Sequence, residues 1–183
     1  MDALEQRWHA VAAQGVPNYF GEQRFGRQGG NLLQAEAMLD THAKQWRERK
    51  HQFVVSALRA WLFNRVLADR VVADDWRQCV EGDPDTIPTA PLWGRGRNKS
   101  QGALAVREQS LFEPYAPYCE KLEHVGLQQE RRALLLPIAS AHFQRDEKDC
   151  VLAFTLPVGS YATAVLRECL QVENAQENSA ETL

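Results

Sequence analysis

The sequence predicts an α+β protein, helical through its middle and with short strands gathered near its end. Three observations predict this class. Apolar residues recur at helical spacing between residues 3 and 72. Short apolar runs bounded by turn residues replace that pattern after residue 132. A stretch rich in Pro and Gly, residues 74–98, interrupts the helices.

Taken in order, residues 3–13 read as a helix, with Leu4, Trp8, Val11 and Ala12 on one face. Gly15, Pro17 and Asn18 stop it. An aromatic, glycine-containing loop runs on to Gly26. A second helix follows, with Asn31 as the expected N-cap and Leu32, Ala35, Met38 and Leu39 as its apolar face. The most strongly patterned helix covers residues 51–72, through Phe53, Val54, Ala57, Leu58, Trp61, Leu62 and Val66. A fourth spans residues 102–124, with Pro114 and Pro117 expected to divide it. Residues 133–138 and 151–156 read as strands joined by the polar segment 142–149. A last helix is expected over residues 160–172 with Ser160 as N-cap.

Composition narrows the function classes. No run approaches the roughly 20 apolar residues of a membrane span, and no signal-peptide pattern opens the chain, so the expected compartment is the cytoplasm. The cysteines, Cys79, Cys119, Cys150 and Cys169, form no Cys-x-x-Cys pair and have no histidine at ligand spacing. That pattern speaks against a zinc site and reads as four reduced, mostly buried thiols. The formal net charge of −3 does not mark a nucleic-acid binder. Its distribution is more telling: residues 44–107 carry twelve Lys and Arg against seven Asp and Glu, and acids collect at Glu173, Glu177 and Glu181. A local basic zone of this kind suits RNA, and also suits a plain cytosolic protein.

Two segments have specific chemistry and a third supports them. The first runs Gly15-Val16-Pro17-Asn18-Tyr19-Phe20-Gly21-Glu22-Gln23-Arg24-Phe25-Gly26. The second runs Leu156-Pro157-Val158-Gly159-Ser160-Tyr161-Ala162-Thr163 and on through Arg167. The third is Pro88-Thr89-Ala90-Pro91-Leu92-Trp93-Gly94, supported by Leu58-Arg59-Ala60-Trp61-Leu62-Phe63-Asn64. In this order, and over about residues 4–172, they resemble the TruD family of tRNA pseudouridine synthases.

The resemblance implies conversion of a uridine in tRNA to its carbon-linked isomer, without cofactor or metal. It implies part of a pseudouridine-synthase catalytic domain, with a mixed or antiparallel sheet and helices, interrupted by a mainly helical insertion domain. On that basis residues 1–24 and 133–172 belong to the catalytic domain, 25–132 form the insertion, and 173–183 are a disordered tail. The link from Gly82 to Pro88 is shorter than is usual in the family, which implies a trimmed insertion.

The chemistry needs a carboxylate beside the sugar, a surface against which the extruded base is held, and cations for phosphate. Tyr161 matches a position where the family has Tyr or Phe in the active cleft, and Phe20 and Asn18 are assigned to the same cleft. Arg24, Arg27, Arg95, Arg97, Lys99 and Arg167 are the expected RNA-binding cations. A packed loop fixing a domain join explains Asn18, Phe20 and Arg24 equally well, and a solvated loop explains Arg95, Arg97 and Lys99. The family's aspartate belongs to a Gly-x-Lys-Asp-[Arg/Lys] setting upstream. Here Lys148-Asp149 lacks the glycine and runs into Cys150. The expectation is a C-terminal half, inactive alone and completed by an N-terminal half of the same enzyme, with tRNA as substrate. The alternatives are a non-catalytic module for structured RNA, and an inactive truncated product with unpaired sheet edges.

Overall fold

The structure, a computed structural model, describes residues 3–146 and 149–170. In chain order the elements are α1 (Ala3–Gln14), β1 (Val16–Pro17), α2 (Gly30–Ala37), α3 (Ala43–Trp46), α4 (Gln52–Val72) and β2 (Thr89–Leu92). They continue with α5 (Gly102–Phe112), α6 (Ala116–Glu123), β3 (Glu130–Ala133), β4 (Leu135–Leu136), β5 (Ala139–Arg145), β6 (Cys150–Thr155) and α7 (Ala162–Cys169). Short 3₁₀ turns lie at Glu22–Phe25, Arg27–Gly29, Arg49–His51 and Glu113–Tyr115. The chain divides into two compact units. The first is Met1–Val16 with Leu136–Leu183, and the second is Pro17–Leu135.

The second unit is built on α4. Its 21 residues bury Val54, Leu58, Leu62, Phe63, Val66 and Leu67 among others, a stripe wide enough to face α2, β2, α5 and α6. Trp46, Trp76, Phe112 and Leu122 complete this core. β2 pairs antiparallel with β3, with Ala90 opposite Arg132 and Pro91 opposite Arg131. Strand β2 lies inside the Pro-rich stretch expected to be irregular. A proline fits there because β2 has β3 on only one side, so its missing N–H leaves no ladder bond unmade. Ion pairs hold the segment after α4. Arg70, 1% exposed, pairs with Asp75 at 2.6 Å and Asp83 at 3.3 Å, and Arg107 pairs with Asp69 and Asp75. Burial works against the charge of Arg107, but the hydrogen bonds it donates to Asp75 and Asp69 and the charge of those carboxylates prevail and raise its pKa.

The first unit packs α1 and α7 with the β5–β6 hairpin. Trp8, Val11, Val16, Leu136 and Val165 are its buried centre, and Trp8 meets the Phe154 ring at 5.4 Å. Arg7 donates from Nε to the Glu168 carbonyl at 2.7 Å, fastening α1 to α7.

Several sequence expectations are corrected. The run 133–138 is not one strand: β3 ends at Ala133 and β4 is only two residues long, with Pro137 following. The hairpin strand is instead Ala139–Arg145, largely within the segment expected to be a connection. Its alternation was the signal, because Ala141 and Phe143 pack inward while His142 and Gln144 face out. Asn31 lies inside α2, not at its cap. Gly29, at φ 72°, takes the cap position, and Asn31 Nδ2 donates to the Arg24 carbonyl at 3.3 Å. Tyr161, not Ser160, caps α7, and no side chain bonds there. Of the cysteines only Cys119 is buried, Cys79 and Cys150 being exposed. The division of the fourth helix falls at Glu113–Tyr115 as its prolines require. The acidic tail, Val172 and Lys148 lie outside the described residues. Among the described residues no helix is long and apolar enough to cross a membrane.

Candidate nucleic-acid interface

The aromatic loop after α1 is fixed by backbone and amide bonds within the second unit. Asn18, 6% exposed, donates from its main-chain N to the Leu134 carbonyl and from Nδ2 to the Ala133 carbonyl, both at 2.8 Å. Its Oδ1 accepts from Arg132. The Phe20 main chain exchanges two hydrogen bonds with the Asn64 amide on α4, at 2.9 and 3.0 Å. This pins the Phe20 ring edge-on to Phe63, centroids 5.5 Å apart.

Two guanidinium groups then converge on Phe20. Arg132 stands 4.2 Å from the ring centroid and Arg24 stands 5.6 Å from it. Arg24 is held by a 2.9 Å hydrogen bond to Ser56 Oγ on α4. A half-buried aromatic flanked by two oriented cations suits a nucleotide, since the ring offers stacking and the cations offer phosphate contact. The structure therefore brings Asn18, Phe20 and Arg24 together. Asn18 acts there as a fastener with every amide atom engaged.

The basic loop that follows β2 is braced from below. Arg59 on α4 donates to the carbonyls of Trp93, Leu92 and Gln128, at 2.7, 3.1 and 2.9 Å. Burial lowers the Arg59 pKa, partly offset by Glu130. Gly94 lies so close to residues 127–128 that a Cβ would stand 2.5 Å from the Gln128 carbonyl oxygen. The Arg95 main chain exchanges bonds with Leu127 and Gln129, at 2.8 and 2.9 Å. Beyond it, Asn98 and Ser100 are tied to Glu108, at 2.6 and 2.7 Å, and Glu108 pairs with Arg131 at 2.8 Å. On this frame Arg95, Arg97 and Lys99 are all exposed, and none is engaged in an ion pair among the described residues. A braced backbone with exposed cations at every second position would suit phosphate, because ordering such a loop around an anion costs little further entropy.

Comparison with known proteins is consistent along the chain. Residues 84–169 match the family model for tRNA pseudouridine synthase D (TruD). A curated Cellvibrio japonicus protein named tRNA pseudouridine synthase D is 48% identical over 176 residues, covering 95% of this chain and 52% of that one. An Aeromonas hydrophila protein of the same name is 41% identical, covering 95% and 56%. The chain belongs to the TruD family. It spans about half the length of the curated relatives it matches. A crystal structure described as the TruD protein of Methanosarcina mazei superposes with a TM-score of 0.66, covering 92% of this chain and 64% of that one. At 21% identity this shows the shared fold.

Within this TruD-family chain the other expected residues are dispersed. Tyr161 is buried in the first unit, at the N-terminal end of α7. Arg167 is exposed on the same helix, and Arg27 is exposed in the 3₁₀ turn Arg27–Gly29 of the second unit. The residue that sequence reasoning missed is Arg132. Its signal was the Arg131-Arg132 pair on a strand, where consecutive side chains point to opposite faces. Arg131 goes to Thr89 and Glu108, and Arg132 goes to Asn18 and Phe20. Among the described residues no cluster of His, Cys, Asp and Glu is arranged to hold a metal ion.

Proposed function

We propose that this chain forms the RNA-binding and cleft-wall portion of a tRNA pseudouridine synthase, and that the reacting aspartate is supplied by a segment outside these 183 residues. The observation that carries the reading is 48% identity, over 95% of the chain, to a protein named for that activity. The geometry supports it. Phe20, between Arg24 and Arg132, serves as the stacking surface for an extruded base, and Asn18 fixes the loop that presents it. Tyr161, in the first unit, is proposed as a base-stacking residue from its place in the family's motif. Arg95, Arg97 and Lys99 contact phosphate, with Arg27 and Arg167 as further cations.

The described carboxylates favour an acid from elsewhere. Glu108 and Asp83, with side chains 1% exposed, and the less buried Asp75 are each committed to an arginine. Residues 1–24 and 133–172 are assigned to the catalytic domain and 25–132 to the insertion.

Complementation tests this. The chain is incubated with tRNA, alone and with a polypeptide covering the remaining length of the Cellvibrio japonicus relative, and pseudouridine is mapped by carbodiimide adducts. The expected result is modification only in the mixture, lost with Phe20→Ala. Turnover by the chain alone would overturn the assignment of the acid to another segment.

A further inference from the structure

The helical unit also holds a cavity of about 320 Å³, between α3, the first turns of α4 and the turn before β3. Val125 and Leu127 give it an accessible apolar rim over the buried Trp46 and Val55, and Arg47, Gln52 and Arg59 bring polar groups to it. That volume is at the small end for ligand pockets and fits a single nucleoside. Each polar group has a definite state. Arg47 is exposed and spends only Nε, on the His124 carbonyl at 2.6 Å, leaving its terminal nitrogens for an anion. Arg59 is a fixed cation at the back.

The cavity is also continuous with the basic loop. Leu127 in its wall accepts the Arg95 main-chain N–H, and Arg59 in its wall holds the Trp93 carbonyl. Ser56, a third wall residue, receives Arg24 from the Phe20 cluster. An apolar slot with cations at its mouth and back, joined to a row of free arginines, is complementary to a base attached to a phosphate chain.

We propose that this cavity takes one unpaired nucleotide of a folded RNA, other than the uridine to be modified. The base lies against Val125 and Leu127, the 5′ or 3′ phosphate lies on Arg47, and the strand continues over Arg95 and Arg97. The proposal rests on the RNA-binding reading above. Its consequence is selectivity: the helical unit distinguishes RNA with an extrudable base from a regular duplex.

The test measures the affinity of the whole 183-residue chain for a tRNA transcript and for a perfect RNA duplex of equal length, across a salt series. Leu127→Trp fills the slot from its half-exposed rim, and Arg47→Gln removes the free cation at an exposed site. Thermal unfolding confirms that each variant folds; should Leu127→Trp fail to fold, Arg47→Gln and the milder Leu127→Phe carry the test. Support is a tRNA affinity lowered about tenfold with duplex affinity unchanged. Unaltered tRNA affinity in folded slot variants overturns the proposal, as does an equal loss for tRNA and duplex. The underlying reading fails in a distinguishable way, since the unsubstituted chain would then bind neither RNA.

Discussion

Replacing Glu108 with Gln isolates the role of the buried polar frame beneath the basic loop. Glu108 is 1% exposed and its carboxylate meets four donors: Arg131 Nη2 at 2.8 Å and Nη1 at 3.3 Å, Asn98 Nδ2 at 2.6 Å and Ser100 Oγ at 2.7 Å. A glutamine has the same shape but turns one acceptor into a donor. That NH₂ faces either Arg131 or the Asn98 and Ser100 pair, and Arg131, with a side chain 6% exposed, is left with only the more exposed Asp85 carboxylate, 3.9 Å away, as counter-charge. Removing one partner of a buried ion pair costs about 3–5 kcal/mol. In a chain of this size that corresponds to a fall in Tm of roughly 6–20 °C for the unit concerned. Calorimetry of the whole chain reads it. The double variant Glu108→Leu with Arg131→Met should recover part of the loss, because an apolar pair removes both charges together. The same Glu108→Gln change should weaken tRNA binding although residue 108 is buried, through release of Asn98 and Ser100 from beneath Arg97 and Lys99. A Tm within about 2 °C of the parent chain, against the loss expected from a severed buried pair, would refute this account of the loop's rigidity.

Other outcomes follow from neighbouring features. Arg95→Ala with Arg97→Ala should leave Tm unchanged and lower the salt slope of RNA binding by about two, one for each phosphate no longer neutralised; an unaltered slope would show that neither side chain meets phosphate. Gly94→Ala should destabilise the second unit and reduce RNA affinity together, because its Cβ meets the Gln128 carbonyl oxygen at 2.5 Å and the Leu127 carbonyl oxygen at 2.7 Å. Thiol labelling at pH 8 should reach exposed Cys79 and Cys150 while sparing Cys119, whose pKa is pushed up to about 12 by burial and by Glu123. The native state holds that proton more tightly than the unfolded state. The stability linked to it is therefore complete below about pH 8.5 and drains as pH rises toward 12, which denaturant titrations at increasing pH should record.

The helices were legible because their burial is one-sided. The 3.6-residue stripe on α4 and the prolines that split α5 from α6 are local signals, and the structure follows them. Of the strands only β6 was read near its place, and β5 was taken for a connection although Ala141 and Phe143 alternate inward. β2 carries a proline and β3 reads Glu-Arg-Arg-Ala, so neither has an apolar alternation to find. What makes β3 a strand is the polar work on its two faces, and that depends on partners as remote in sequence as Asn18 and Glu108. For the same reason Arg24 and Phe20 could be picked out from their motif while Arg132, which completes their cluster, could not. Its position beside Phe20 is set by pairing with β2 and by the Asn18 amide.

This dependence has a functional side. One strand, β3, serves both parts of the candidate interface. Its Arg131 clamps the frame of the basic loop, and its Arg132 stands over Phe20. Because the two side chains leave opposite faces of one short strand, a shift of β3 by one residue would bring either Ala133 to the face of Phe20 or Glu130 to the Glu108 site, so one part of the interface would lose its cation. The Arg59 bonds to the Leu92, Trp93 and Gln128 carbonyls hold that register at the end of the ladder. An arginine at 59 is therefore a positioning residue for both parts of the candidate interface. Arg59→Met, which keeps the stem and removes the donors, should disturb the Phe20 cluster and the basic loop together, whereas damage confined to one of them would break the link through β3.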